Sequence, residues 1–145
     1  MKTGGSEEAM KGIVLLSHGN LAEGLLQASA IFFGEQPQIQ ALGYQMTEDC
    51  DEFAEKIGYA IAAVDSGEGV IILCDLFAGT PAHKTTGYLN PGKVDVLCGV
   101  NLPLLLELLG QRQTGQLDLE ELMMTGREGI RPWQPTADLQ EEEFY

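Results

Sequence analysis

Polar residues stand at the ends of three apolar runs in this sequence. Ser17-His18-Gly19 follows Gly12 to Leu16, Asp75 follows Val70 to Cys74, and Asn101 follows Val94 to Val100. A carboxylate that accepts one imidazole N–H fixes the ring's tautomer and leaves the other nitrogen a free lone pair. A His18–Asp75 pair would therefore supply a nucleophile, a general base or a metal ligand. Two turns favour a nucleophile that handles anions. Gly19-Asn20 and Gly79-Thr80-Pro81 each put backbone N–H groups at the start of a helix, where a phosphoryl group is well received. Thr80 adds a hydroxyl, and glycine at 19 and 79 lets the backbone approach closely. The competing reading makes His18 a core residue and Asp75 a simple turn cap. Phe77 either lines the site or only packs. His83 falls inside a helical stretch with no partner in view and reads as a bystander.

Motifs that are missing narrow the field. The sequence has no GxxxxGK[ST] and no GxGxxG for nucleotide phosphates. It has neither a GxSxG elbow nor HExxH. Cys50, Cys74 and Cys98 are odd in number and far apart, and no CxxC occurs, so neither a disulfide framework nor a zinc site is expected. Cys74 and Cys98 lie in apolar runs and read as reduced core residues. A phosphoryl carrier needs none of the missing motifs, because its donor can be another phosphoprotein.

The elements that would position these residues alternate. Gly12 to Leu16 is continuously apolar, as expected of a strand buried on both faces. Asn20 can cap a helix with apolar Leu21, Leu25, Ala28 and Phe32, ended by Gly34. Ile39 to Met46 reads as a second strand. Thr47 is the expected N-cap of the next helix, with Glu48 and Asp49 at the positive end of its dipole. Phe53, Ile57, Ala60, Ile61 and Val64 mark that helix's buried face. Val70 to Cys74 is the clearest strand. Thr80 as N-cap and Pro81 at N1 open a helix to about Tyr88, Asn90-Pro91-Gly92 is a turn, and Val94 to Val100 is a fourth strand. Pro103 opens another helix, and Leu117 to Met124 reads as helical. Residues 125–145 read as irregular, because Pro132 and Pro135 exclude a continuing helix, with Gly129 to Trp133 a possible short edge strand.

Such alternation predicts an α/β fold, a parallel sheet with helices on both faces joined by right-handed crossovers. Ligands collect beyond the carboxyl ends of such strands. In a flavodoxin-like order 2-1-3-4, the first and third strands are neighbours, which would bring His18 to Asp75.

At 145 residues, 44% of them hydrophobic, the chain suits one domain with a real core. Its net charge of −14 argues against nucleic acid or an anionic membrane as a direct partner. Eight acids and two bases fall in residues 118–145, and Glu141-Glu142-Glu143 reads as a solvated tail. No apolar run reaches the roughly 18–20 residues needed to span a bilayer. Met1 to Lys11 lacks the apolar core of a signal peptide. A cytoplasmic location is expected. The organisation expected is a flexible N-terminus over 1–10, one domain over 11–135 and an acidic tail over 136–145.

Four segments, in order and spacing, carry a resemblance over about residues 11–135. They are Gly12 to Gly19, Leu73-Cys74-Asp75-Leu76-Phe77-Ala78-Gly79-Thr80-Pro81, Gly99-Val100-Asn101-Leu102-Pro103 and Thr125-Gly126-Arg127-Glu128-Gly129-Ile130. With them the chain resembles the IIA component of the mannose family of the bacterial phosphoenolpyruvate-dependent sugar phosphotransferase system. The resemblance implies that His18 is phosphorylated by the phosphocarrier HPr and passes the group to a IIB component, which serves the membrane IIC/IID complex during sugar import. It implies that Asp75 orients His18, that Thr80 supplies the small hydroxyl, and that Gly19, Leu76, Phe77 and Gly79 surround the phosphoryl group. Phe77 stands where some members carry Trp, which keeps an aromatic role. No cofactor, neither Mg²⁺ nor nucleotide, is implied. The implied fold is doubly wound in the order 2-1-3-4. The resemblance also implies a homodimer in which a C-terminal antiparallel strand, residues 129–134, is exchanged. A phosphocarrier subunit of a dihydroxyacetone kinase shares the fold and the strand-end histidine, but the Gly-Thr-Pro turn argues against it. A regulatory module phosphorylated to report sugar supply, and a flavodoxin-like binding domain without phosphotransfer, are the other readings.

Overall fold

The structure, a computed structural model, describes residues 9–135. The expected acidic tail and most of the expected flexible N-terminus lie outside those residues. Four parallel strands form one sheet: β1 (Gly12–His18), β2 (Ile39–Tyr44), β3 (Val70–Cys74) and β4 (Val94–Cys98). Their order is β2-β1-β3-β4, as the sequence led us to expect. The helices are α1 (Leu21–Phe33), α2 (Cys50–Val64), α3 (Thr80–His83), α4 (Leu102–Thr114) and α5 (Leu119–Glu128).

Residues two apart on a strand face the same side of the sheet, so each central strand splits its apolar run between two cores. Ile13, Leu15, Ile71 and Leu73 pack with Ala22 of α1, Leu104, Leu105, Leu108 and Leu109 of α4, and Leu122 of α5. Val14, Leu16, Val70, Ile72 and Cys74 pack on the other side with Phe53, Ile57, Ala60 and Val64 of α2. That covers both faces of β1 and β3, which are fully buried up to their last residues.

Several local expectations shift. Asp49, not Thr47, caps α2, its carboxylate accepting the Glu52 N–H. Aspartate is the stronger cap, and Glu48 is drawn away to bond the Gln45 N–H and Lys56. In α1, Leu25 packs on the core, but Leu21 and Phe32 are exposed. Apolar residues lie all round this helix, and the side with small Ala22 and Ser29 is the one buried. The helix expected from Thr80 to Tyr88 is two short pieces, α3 and a 3-10 turn over Thr86–Tyr88. Thr85 turns its hydroxyl back onto the Ala82 carbonyl between them. In the segment read as irregular, α5 persists to Glu128, because Pro132 restricts the backbone only from residue 131 onward. Ile130 to Pro135 form no strand in this single chain.

The amino ends of the strands are tied by a buried cation. Arg112, near the end of α4, is only 6% exposed. Its guanidinium donates to the carbonyls of Lys11, Gln38 and Pro37 at 3.1, 3.3 and 2.8 Å. Gln38 adopts φ of 56° and donates to the carbonyls of Met10 and Val64. The planar fork of Arg112 thus closes the entrances to β1 and β2 against α4. Arg112→Ala strands these carbonyls and is expected to lower the unfolding free energy by about 3 kcal/mol. Urea denaturation checks this, and Arg112→Lys should recover only part of the loss.

Candidate active site

β1 pairs with β3 as far as Leu16 opposite Cys74, and with β2 as far as His18 opposite Tyr44. After Leu16, β1 continues along β2 while β3 turns away at Asp75. The gap that opens is the crevice of a doubly wound sheet, and His18 and Asp75 face each other across it. The Asp75 N–H still reaches the Leu16 carbonyl at 3.1 Å, so the carboxylate begins directly at the end of the ladder.

One oxygen of Asp75, Oδ2, accepts twice from His18. The His18 backbone N–H donates at 2.9 Å, and Nδ1 lies at 3.0 Å. The other oxygen accepts the Leu76 N–H at 2.8 Å. The Asp75 side chain is 10% exposed and the His18 side chain 43%. Burial works against ionising Asp75, but the His18 and Leu76 donors outweigh it and hold the carboxyl below its usual range. An ionised carboxylate against Nδ1 puts the proton there, leaving the Nε2 lone pair free.

That nitrogen faces Gly79. A Cβ added to Gly79 would lie 3.0 Å from Nε2 and 2.9 Å from Cε1 of His18. Gly79 also has φ of 100°, in the left-handed region. Both facts require glycine there. Gly79, not the expected Thr80, is the N-cap of α3, and half-buried Thr80 and buried Pro81 form its first turn, one position further into the helix than expected. Leu76 and Phe77 are exposed at the rim, Phe77 at 90%. Gly19 has φ of 59° and its N–H donates to the Tyr44 carbonyl at 2.8 Å.

Asn101 lies apart from this centre. Its Oδ1 caps α4 through the Leu104 N–H, and its Nδ2 donates to the Gly126 carbonyl of α5. Its place at a strand end reflects helix packing rather than chemistry. His83 lines a groove of about 540 Å³ beside β4 that shares Phe77 and Gly79 with the site and continues along Val96 and Cys98. Cys74 is buried and Cys98 half-buried, directly opposite each other on β3 and β4, with both thiols raised by burial. Among the described residues no group of three or more His, Cys, Asp or Glu is arranged to hold a metal ion. No described helix is long and apolar enough to cross a membrane.

Two residues of the site were not singled out by their sequence positions. Ser17 is buried, and its hydroxyl donates to the Gly19 carbonyl at 3.1 Å while accepting the Ala22 N–H at 2.8 Å. It, rather than Asn20, supplies the side-chain cap of α1 and closes the turn that carries His18. Tyr44 sets its ring edge-on to the imidazole, with centroids 6.5 Å apart. A polar residue inside an otherwise apolar strand was a visible signal for Ser17. For Tyr44 the signal is the strand register, which a sequence does not display.

Fold and site together define a doubly wound α/β domain with a histidine–aspartate pair at the switch point of its sheet. The chain belongs to the EIIA-man family, described as the PTS system fructose IIA component, whose model matches residues 12–124. It is 30% identical over 115 residues to the PTS system fructose-specific EIIA component of Bacillus subtilis strain 168, covering 79% of this chain and 77% of that protein. It is 31% identical over 124 residues to the PTS system mannose-specific EIIAB component of Escherichia coli strain K12, covering 82% of this chain. Against that longer relative the chain spans 38% of the length. Among solved structures it resembles the PTS IIA protein associated with the fucose utilization operon from Streptococcus pneumoniae. There the TM-score is 0.80, with 31% identity, over 86% of this chain and 94% of that one.

The lowered pKa of Asp75 gives a signed expectation. Its hydrogen bonds contribute stability above the unfolded carboxyl pKa of about 3.9. That contribution is lost as pH falls through the lower folded value. Urea unfolding measured from pH 6 to pH 2 should show the wild type losing stability below about pH 4. Asp75→Asn should start less stable and lose less on acidification.

Proposed function

We propose that this chain is the phosphoryl carrier of a sugar phosphotransferase system, with His18 accepting the group from phosphorylated HPr and delivering it to a IIB component. The observation that carries the reading is the His18–Asp75 pair. Nδ1 is held by the carboxylate, and Nε2 looks out past Gly79 to the opening turn of α3.

Neutral His18 attacks in line. The Nε2–phosphorus bond forms as the phosphorus–nitrogen bond of the donor phosphohistidine breaks, and the electron pair returns to the donor ring. Nδ1 keeps its proton on Asp75, which stabilises the positive character that the ring gains. Backbone N–H groups around Gly79 and Thr80 and the Thr80 hydroxyl receive the phosphoryl oxygens. Positioning and electrostatics do most of the work, as in phosphoryl transfer generally. Gly19 gives the donor room, and Leu76 and Phe77 offer it an apolar rim. In the second transfer the same geometry runs in reverse towards IIB, which then serves membrane IIC and IID proteins. Such a carrier works in the cytoplasm.

The domain responsible spans residues 11–135. The carrier acts as a homodimer in which residues 129–134 of each chain add an antiparallel strand to the partner. Support for this comes from β4, an edge strand of the sheet, and from Ile130 and Trp133, which are 80% and 71% exposed in the single chain.

Incubation with phosphoenolpyruvate, enzyme I and HPr should label the wild type. His18→Ala should take up no phosphate, whereas His83→Ala should be labelled like the wild type. Label on His18→Ala would sink the assignment. Analytical ultracentrifugation should find a dimer, and removal of residues 129–145 should give a monomer. A stable wild-type monomer would count against strand exchange.

A further inference from the structure

The hydrogen bond from Nδ1 to Asp75 does not by itself fix the imidazole. A ring held at one nitrogen and 43% exposed can still swing about that contact. A second restraint is needed on another side, and the strand register supplies one. Tyr44 stands opposite His18 on the neighbouring strand, where side chains in register share a face. Its ring meets the imidazole edge-on, at 83° with centroids 6.5 Å apart. The same ring packs against Phe53 at 67° and 5.1 Å. Phe53 is fully buried and belongs to the first turn of α2. Tyr44 itself packs onto the core cluster that α2 builds on this face of the sheet.

We propose that Tyr44 is a positioning residue for His18, transmitting the rigidity of the α2 core to the imidazole so that Nε2 keeps its aim past Gly79. The phosphoryl part of this inference rests on the carrier reading given above. Asp75 restrains the ring from β3 and Tyr44 from β2, while Gly79 lies against the free nitrogen. The contact is ring against ring in a T-shaped arrangement, so the phenol oxygen is dispensable. Phenylalanine serves in its place. Alanine leaves a gap, and leucine fills the volume over Phe53 without giving a flat wall.

The test has two arms. In the unphosphorylated protein, ring-nitrogen NMR shifts of His18 report the tautomer. Wild type and Tyr44→Phe should hold the Nδ1–H form, while Tyr44→Ala and Tyr44→Leu should show a mixture of both. In the second arm, phosphoryl uptake from HPr should fall about tenfold in the alanine and leucine variants, as expected for a misplaced nucleophile. Tyr44→Phe should stay close to wild type. A residue that only fills the core would lower the unfolding midpoint and leave the ring-nitrogen shifts unchanged. Unchanged shifts and uptake in Tyr44→Leu would overturn the proposal, as would loss of both in Tyr44→Phe. The NMR arm needs no phosphate donor. Failure of the carrier reading would therefore appear as an unlabelled wild type with the tautomer response intact.

Discussion

A single carboxylate oxygen takes both the backbone N–H and the imidazole of His18, and the surrounding structure is arranged to keep it there. Oδ2 of Asp75 can do this only if β1 and β3 are neighbours in register to their last paired residues. Parallel neighbours need a long crossover, and here α1, β2 and α2 intervene in sequence between the two strands. The pair is 57 residues apart along the chain. The local geometry of the site is thus a consequence of the global topology. Anything that slipped β3 by one residue would turn Asp75 to the opposite face of the sheet.

Both core faces serve that register. The α1, α4 and α5 side buries one set of strand residues and the α2 side the other, so neither central strand can slide or flip without exposing a leucine or isoleucine row. The two ends of the sheet then do different work. At the amino ends Arg112 satisfies three carbonyls and closes the structure. At the carboxyl ends Gly19 and Gly79 both stand at positive φ around the histidine. Ser17 belongs to both economies. It is buried like the strand residues before it, yet its hydroxyl shapes the turn beyond.

What the sequence made legible follows from how local each signal is. The apolar runs of β1 and β3, the buried stripe of α2 and the glycine at 79 are readable from neighbours in the chain. The sheet order and the His18–Asp75 contact are non-local: the polar strand ends pointed to the pair only on an assumed flavodoxin-like order, which the family resemblance supplied. The cap of α2 was misplaced because Thr47, Glu48 and Asp49 compete, and only tertiary partners decide which residue is free. The face of α1 was misjudged because that helix is apolar on several sides. Asn101 was attractive as a strand-end polar group, yet its bonds go to Leu104 and Gly126. Tyr44 was invisible because its importance lies in which residue stands opposite it.

Four of the cations among the described residues are engaged by partners other than His18. Lys56 is engaged by Glu48, Lys84 by Asp51, Lys11 by the Gly92 carbonyl, and Arg112 by carbonyls at the far end of the sheet. The strongest charge touching His18 is the carboxylate of Asp75. In the proposed carrier an incoming phosphoryl group meets the N–H dipoles of the turn at Gly79 and Thr80. For the proposed carrier this is a useful balance. A lysine or arginine clamp would form charge-assisted bonds roughly twice as strong as neutral ones, deepening the well from which IIB must draw the group. Dipoles at a glycine turn orient the oxygens while leaving the phosphorus–nitrogen bond reactive. The surplus of acids, a net −14 over the chain, acts in the same direction. For the proposed carrier it would make affinity for the phosphoryl group depend on the N–H groups of the Gly79–Thr80 turn, and so on the alignment that Asp75 and the sheet register provide.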